Sequence, residues 1–559
     1  MAPKAGRPAA PVVSDGPSWK VQLLLVGSLL AAALATISVT SNLDRFNYIS
    51  SYPSRFTYQQ LPNDLIELAS FLTPQPIHLL YHNLQTSYRQ FTEQDVRSLN
   101  LDRFLVKEEQ YAWDRLLDNV HPPGTSKGCV VASPSREKPD YWYSWTRDSA
   151  LVMKTVIQRF IAGDKKLQGT VDDYIVGVRE MQHKKTVIGD FHTGGLGEVK
   201  YYVNNEPFSG EWGRPQNDGP ALRVITLVEY AHFQLDHGDE KDKRFVKEVL
   251  YDGRFPTESV IKGDLEHIAH RWSEPGYDLW EEVQGQHFYT LLAIHSALLH
   301  GSSLAIRLAD PLAAEFYSAQ ASLISHRLDE FWSPSKGIIR VSLNHTKGRV
   351  SEENARVGDD TYGKGSELDT ATLLAVLHSG KGTKWEQNAK VLATLDRLIE
   401  AFGPLYPINS QLPTTVSSAV GLGRYPEDVY DGIGISQGHP WYLCTLSAAE
   451  LLYRSSSLLL NQPEPLVITD LSRAWFGRFI PLGLGGKETT LKAGGKEVKK
   501  IVEGQRKLAD GFVGVVKEFA RRNGSLNEQF HRETGVGRGA RDLTWSYAAF
   551  ITAAQARRL

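Results

Sequence analysis

From about residue 101 the chain repeats apolar positions every three or four residues, the period that turns one face of a helix toward a core. The stretches LDRFLVKEEQYAWDRLLDNV (101–120), RDSALVMKTVIQRFIAG (147–163), VDDYIVGVREMQ (171–182) and DGPALRVITLVEYAHFQL (218–235) carry it. So do DPLAAEFYSAQASLISHRLDEFW (310–332), ELDTATLLAVLHS (367–379), WEQNAKVLATLDRLIEAFG (385–403), PWYLCTLSAAELLYRSSSLLL (440–460) and RDLTWSYAAFITAAQARR (541–558). After Glu282 the residues Val283, Phe288, Leu291, Leu292, Ile294, Leu298 and Leu299 recur at the same spacing. The pattern predicts an all-α chain of about a dozen helices with little strand.

The connecting segments add an arrangement. Six of them, 141–148, 196–219, 274–282, 356–367, 421–440 and 525–542, are rich in Gly, Pro, Trp and charge, and each runs into a helix. If every second helix is entered from such a loop, the six loops gather at one end. A ring of helical hairpins with alternating inner and outer helices does this, which predicts an (α/α)6 toroid with a pocket at the loop end. Trp142, Trp145, Trp212, Trp280, Trp441 and Trp545, half of the twelve tryptophans, fall in these loops or the helix starts they feed. Such loops carry Trp where something flat and partly apolar docks, and a sugar ring fits.

In YDLWEEVQGQHFYTLLAIHSALLHG (277–301) two adjacent glutamates, Glu281 and Glu282, stand at the expected mouth of a helix. Acidic residues in a first turn are favoured by the helix dipole and need no catalytic role. Neighbours on a helix point about 100° apart, however, so the two cannot share one environment. Asp278 and Trp280 crowd the same turn, and carboxylates beside an aromatic are how a carboxyl pKa is raised.

Composition narrows the function. The 62 basic and 64 acidic residues nearly balance, without long charged runs, which gives no support to nucleic-acid binding. Two cysteines, Cys129 and Cys444, cannot form a disulfide framework, and no Cys/His cluster has zinc spacing, so neither a metal nor a cofactor is expected. Residues 1–19 read as a disordered tail. Residues 20–40 read as a signal-anchor or signal peptide, with an uncharged apolar run from 21 to 39 preceded by Lys4, Arg7 and Lys20. Either way the body is expected in the secretory pathway, which the sequons at Asn344 and Asn523 fit. Residues 41–100 form a lead segment without a strong period.

YWYSWTRDSALV (141–152), GLGEVKYYVNNEPFSGEWGRPQNDGPALR (195–223) and YDLWEEVQGQHFYT (277–290) resemble, in order, motifs of the fungal glucoamylases of glycoside hydrolase family 15. GRYPEDVYDG (423–432) with HPWYLCTLSAAELLY (439–453), and LNEQFHRETGVGRGARDLTWSYAA (526–549), continue the series. The resemblance covers about residues 125–559, and it implies that 101–559 is an (α/α)6 catalytic domain. It also implies an inverting, exo-acting hydrolysis of α-1,4-glucosidic bonds that releases β-glucose from the non-reducing ends of starch- or glycogen-type glucans.

The same resemblance assigns roles. Glu281 resembles the general acid and Glu528 the general base, with Asp278 as an alternate proton acceptor. A base one turn from the acid would serve the wrong face of the sugar in an inverting reaction, which favours Glu528. Arg147 and Asp148 resemble the pair holding the outer hydroxyls of the terminal glucose. Tyr141, Trp212, Trp280, Glu282, Arg424 and Trp441 resemble further substrate-binding residues, while Arg214 and Asp218 either bind or brace their loop. The chain ends about 14 residues after Trp545, so a starch-binding module is not expected, and yeast-type members look closer. A monomer is expected. The competing readings are another α-glucosidic specificity on the same scaffold (isomalto-oligosaccharide or trehalose) and a catalytically silent carbohydrate-binding protein.

Overall fold

The computed structural model describes residues 95–345, 364–379, 385–416, 418–483 and 488–559. The predicted tail, the apolar segment and most of the lead segment lie outside these residues, as does 356–363 of the fourth loop. The described chain belongs to one compact unit, Glu93–Leu559.

Its helices, in order, are α1 (Leu101–Asp118), α2 (Thr146–Ile161), α3 (Gln168–Gln182), α4 (Asp218–His237), α5 (Glu240–Phe245), α6 (Val260–Arg271) and α7 (Phe288–Arg307). There follow α8 (Pro311–Asp329), α9 (Ala371–His378), α10 (Ala389–Leu405), α11 (Tyr442–Asn461), α12 (Asp470–Gly477), α13 (Lys496–Phe519) and α14 (Thr544–Arg557). Helix α2 packs on α4, α4 on α7, α7 on α9, α9 on α11, α11 on α14, and α14 returns to α2. That closed circuit is the inner ring. The outer helices α1, α3, α6, α8, α10 and α13 alternate with it along the chain and pack against it from outside. The fold is the expected (α/α)6 toroid.

Sequence composition explains which helix lies where. Inner helices are buried on nearly every face: α4 is buried at each position from Asp218 to Val228, and α11 from Tyr442 to Tyr453. Helix α7 is apolar and long enough to cross a membrane, yet it is largely buried as an inner-ring helix. Outer helices are one-sided. In α13 the residues Val498, Ile501, Val502, Leu508, Phe512, Val513 and Val516 face inward. Close approach in the inner ring needs small residues; a Cβ on Gly219 would meet Thr146 Cγ2 at 2.8 Å. Outer helices α6 and α13 are absent from the segments singled out by periodicity above, although α13 carries a clear stripe that its three glycines and many lysines dilute.

Alternation runs the inner helices in one direction, so all six loops enter at the same end. There the chain forms very short ladders: β1 (Ser144–Trp145) pairs with β2 (Lys200–Tyr201), and β3 (Gly276–Tyr277) pairs with β4 (Gln284–His287). The second ladder corrects an expectation. Glu281 and Glu282 do not lie in the first turn of a helix; they sit in the turn between β3 and β4, and α7 begins only at Phe288. Apolar spacing through Val283 mimicked a helix across what is a tight hairpin.

Candidate active site

The hairpin turn is organised by Asp278. Its backbone N–H donates to Val283 O at 2.9 Å, and its carboxylate Oδ1 accepts from the N–H groups of Glu282 (2.8 Å) and Val283 (2.9 Å). Lys364 Nζ donates to its Oδ2 at 2.9 Å and to Asp369 at 3.0 Å, all three side chains being buried. Burial opposes the Asp278 charge, but Lys364, His287 and the backbone donors outweigh it and hold the carboxyl down to about 2. Asp278 is thus buried, with Oδ1 engaged by two backbone N–H groups of the turn and Oδ2 by Lys364. Closing this turn puts Glu281 at φ +68°, a left-handed conformation that non-glycine residues seldom adopt. The kink sends adjacent glutamates in different directions, as expected, though by a turn and not by helical geometry.

Glu281 faces the first and second loops. Its Oε1 accepts from Trp145 Nε1 at 2.8 Å and from an Arg147 amino group at 3.2 Å, and its Oε2 accepts from Trp212 Nε1 at 2.7 Å. Glu282 faces the fifth loop, accepting from Arg424 and from the Tyr425 hydroxyl, each at 2.7 Å. Burial raises Glu282 against the pull of Arg424. Asp278 and Glu282 thus each have a cation of their own.

Arg147 is buried and links Gln216 (2.8 Å), Asp218 (3.0 Å) and Glu281, with Asp148 at 3.7 Å from its Nε. That Nε and Asp218 Oδ1 are buried without a hydrogen-bond partner among the described residues. Burial, and the charges of Glu281 and Asp218, push Asp148 up to about 6 despite Arg147. Asp218 therefore braces Arg147, while Arg214 braces its own loop through Glu198 and the carbonyls of Phe208 and Gly210. Arg424 forms a bidentate pair with Asp428 and lies 5.3–5.5 Å from the rings of Trp280, Tyr425, Tyr430 and Trp441. Trp280 donates to Asp369 and tilts against Trp441, with ring centres 5.5 Å apart.

Glu528 enters from the sixth loop. Its N–H donates to Ala540 O at 2.7 Å, while its carboxyl accepts from the Tyr141 hydroxyl at 2.8 Å, the Tyr430 hydroxyl at 3.4 Å and the Ala540 N–H at 3.3 Å. Gly539 must be glycine here: a Cβ would stand 2.1 Å from Glu528 Oε2. Burial pushes the Glu528 carboxyl up to about 7, opposed by those donors and by Arg424. The Tyr141 ring packs on Trp145, 5.4 Å between centres, so a chain of contacts runs Glu528–Tyr141–Trp145–Glu281.

The residues assigned catalytic or substrate-binding roles from the sequence thus fall in one connected network at the loop end. Sequence reasoning missed Trp145, Tyr425, Asp428, Tyr430, Lys364 and Lys200, although most of them stand inside the quoted motifs and Trp145 was already counted among the loop tryptophans.

The family profile described as "Glycosyl hydrolases family 15" matches residues 110–555. The chain belongs to that family. A probable glucoamylase of Schizosaccharomyces pombe is 34% identical over 462 residues, 82% of this chain and 92% of that protein. A glucoamylase of Blastobotrys adeninivorans is 33% identical over 565 residues, 97% of this chain and 84% of the other. Among solved structures, the glycoside hydrolase family 15 glucoamylase of Hypocrea jecorina aligns with a TM-score of 0.71 at 34% identity, covering 82% of this chain and 72% of that one. The family 15 motifs are the loops that build the network above.

Two stability measurements check the electrostatics. Lys364→Met leaves Asp278 and Asp369 buried without their cation, so it should cost about 3–5 kcal/mol of stability at neutral pH, read as a lowered unfolding temperature. Glu528→Gln should act in the opposite sense. A carboxyl raised in the folded state from 4.5 to about 7 makes folding less favourable as pH rises through that window, by up to about 3 kcal/mol. The amide variant should therefore match or exceed the wild-type unfolding temperature at pH 8 while losing turnover.

Proposed function

We propose that the chain is an inverting, exo-acting glucan 1,4-α-glucosidase that releases β-D-glucose from non-reducing ends of starch- or glycogen-type α-glucans and malto-oligosaccharides. The observation that carries this is the pair Glu281 and Glu528, on different loops of a family 15 toroid, joined through Tyr141 and Trp145 and held by unlike partners.

Glu281 is the general acid. A carboxyl oxygen has two lone-pair directions. Oε1 uses both on Trp145 and Arg147, while Oε2 uses one on Trp212, so the transferable proton belongs on Oε2. As it passes to the glucosidic oxygen, negative charge grows on a carboxylate already facing two indole N–H groups and a guanidinium. Donors fixed before the reaction stabilise that charge without reorganisation. Glu528 is the general base. Held by two phenols and one backbone N–H, with its nearest cation Arg424 engaged elsewhere, it draws a proton from the water attacking the anomeric carbon on the opposite face. An inverting reaction needs that water between base and sugar.

Arg147 and Asp148 close the pocket around the terminal glucose, which makes the action exo. Arg424 and Glu282 offer polar contacts to the next sugar, and Trp212, Trp280 and Trp441 supply flat apolar faces. The relatives' names support glucoamylase activity over a silent binding protein, and both carboxyls are in place for chemistry. Glu281→Gln should fold and lose turnover by at least about a thousandfold, since each tenfold corresponds to about 1.4 kcal/mol of barrier. Proton NMR of maltoheptaose digestion should show β-glucose as the first anomer, with maltohexaose as its initial co-product; α-glucose first, or maltose and maltotriose as early products, overturns the assignment.

The apolar run 21–39, outside the described residues, is read as the signal that carries the catalytic body into the secretory pathway, retained as an anchor. Microsomal translation should leave the body protected from added protease. A body digested on the cytosolic side contradicts the reading.

A further inference from the structure

Lys200 is buried in β2, and among the described residues its ammonium makes no ion pair, although Glu281 acts on it from nearby. It is surrounded by ring faces: Trp212 at 3.2 Å from the centroid, Phe208 at 4.2 Å, Trp145 at 4.5 Å and Tyr143 at 4.6 Å. The rings close on one another edge to face, Tyr143 on Trp145, Trp145 on Trp212, Trp212 on Phe208 and Phe208 on Tyr143, with centres 5.6–6.3 Å apart. Two of the four, Trp145 and Trp212, are the indoles that donate to the two oxygens of Glu281. Trp212 is 41% exposed, so its inner face on Lys200 is one of its few contacts besides Glu281, Trp145 and Phe208.

We propose that Lys200 is a positioning residue for the proton donor: its ammonium locks the Trp145–Trp212 pair onto Glu281, and its charge sets the alkaline limit of turnover. The attraction of a desolvated cation for indole faces supplies the lock. Electrostatics supplies the second half. The charged groups facing Lys200 are Glu281, Arg214, Asp140 and Glu198, and Glu198 is already paired with Arg214. Around Glu281 stand Arg147, Asp148 and Lys200. Burial draws the lysine down to about 8, so it is charged at neutral pH and discharges within the range where activity can be followed. A cation lost beside a carboxyl lets that carboxyl keep its proton to higher pH.

The inference rests on Glu281 being the acid, and the experiment separates the two. Rate against pH is measured for wild type, Lys200→Met, Lys200→Arg and Glu281→Gln on maltose. Lys200→Met should lower kcat about tenfold with KM within about twofold, and move the alkaline limb of kcat/KM up by about half a unit to one unit. Lys200→Arg, whose charge does not titrate, should keep the limb at the wild-type position even where its rate falls. Independently of whether the Met variant folds, the near-ultraviolet tryptophan signal should change between pH 7 and 9 in wild type but not in Lys200→Arg. Equal rate losses in both lysine variants with an unmoved limb, or identical tryptophan titrations in wild type and Lys200→Arg, overturn the role of Lys200 alone. Retained turnover in folded Glu281→Gln overturns the acid assignment and the charge role with it.

Discussion

The Asp278 turn is the constraint on which the rest of the site depends. One carboxylate caps two successive backbone N–H groups, and the strain of Glu281 at φ +68° persists because Lys364 and Asp369 fix that carboxylate from behind. A relaxed turn would let the two glutamates follow ordinary strand or helix geometry. In a strand they would point to opposite faces, and in a helix about 100° apart, neither of which delivers one to Trp145 and the other to Arg424. Backbone strain at a working residue needs surroundings that over-determine it. Here a buried ion triad provides them, from outside the reacting pocket.

The two working carboxyls are held by different chemistry, and the difference has a functional sense. Glu281 is met by N–H donors and a guanidinium. Glu528 is met mainly by phenolic hydroxyls in a dry setting, which leaves it more basic than an ordinary glutamate. The cations near the site are mostly committed, Arg424 to Asp428 and Glu282, Arg147 to Asp218 and Glu281, so none stands directly against Glu528.

Much of the fold was legible in the sequence because helical burial leaves a periodic trace. The six Gly- and Trp-rich loops even announced which helices are inner, since α2, α4, α7, α9, α11 and α14 are the ones they enter. Five glutamate and aspartate positions, two arginines and the aromatic walls came from motif resemblance, and they do converge. What failed were local inferences made through the wrong secondary structure. Val283 and the leucines beyond it share a spacing that a hairpin followed by a helix reproduces by coincidence, so Asp278 was placed a helical turn from Glu281 with its carboxylate free. Nothing in YDLWEE reveals that Lys364, far along the chain, takes that carboxylate. Partners supplied by distant loops leave no periodic signal.

The same limit explains why Lys200 and Trp145 were passed over. Each lies in a motif, but a lysine among aromatics in GEVKYYV reads as an ordinary strand residue whose ammonium reaches solvent. Only the β1–β2 pairing, which sets Trp145 opposite Lys200, turns the ammonium inward and lets Phe208 and Trp212 fold over it. A single register thus connects two requirements that seem separate: the indole N–H groups must point at Glu281, and their faces must be held from the other side. An uncharged apolar residue at 200 could fill the box, but it would bring no charge to it. Lysine at 200 is the residue type that can serve both the ring faces and, under the proposal above, the charge beside Glu281.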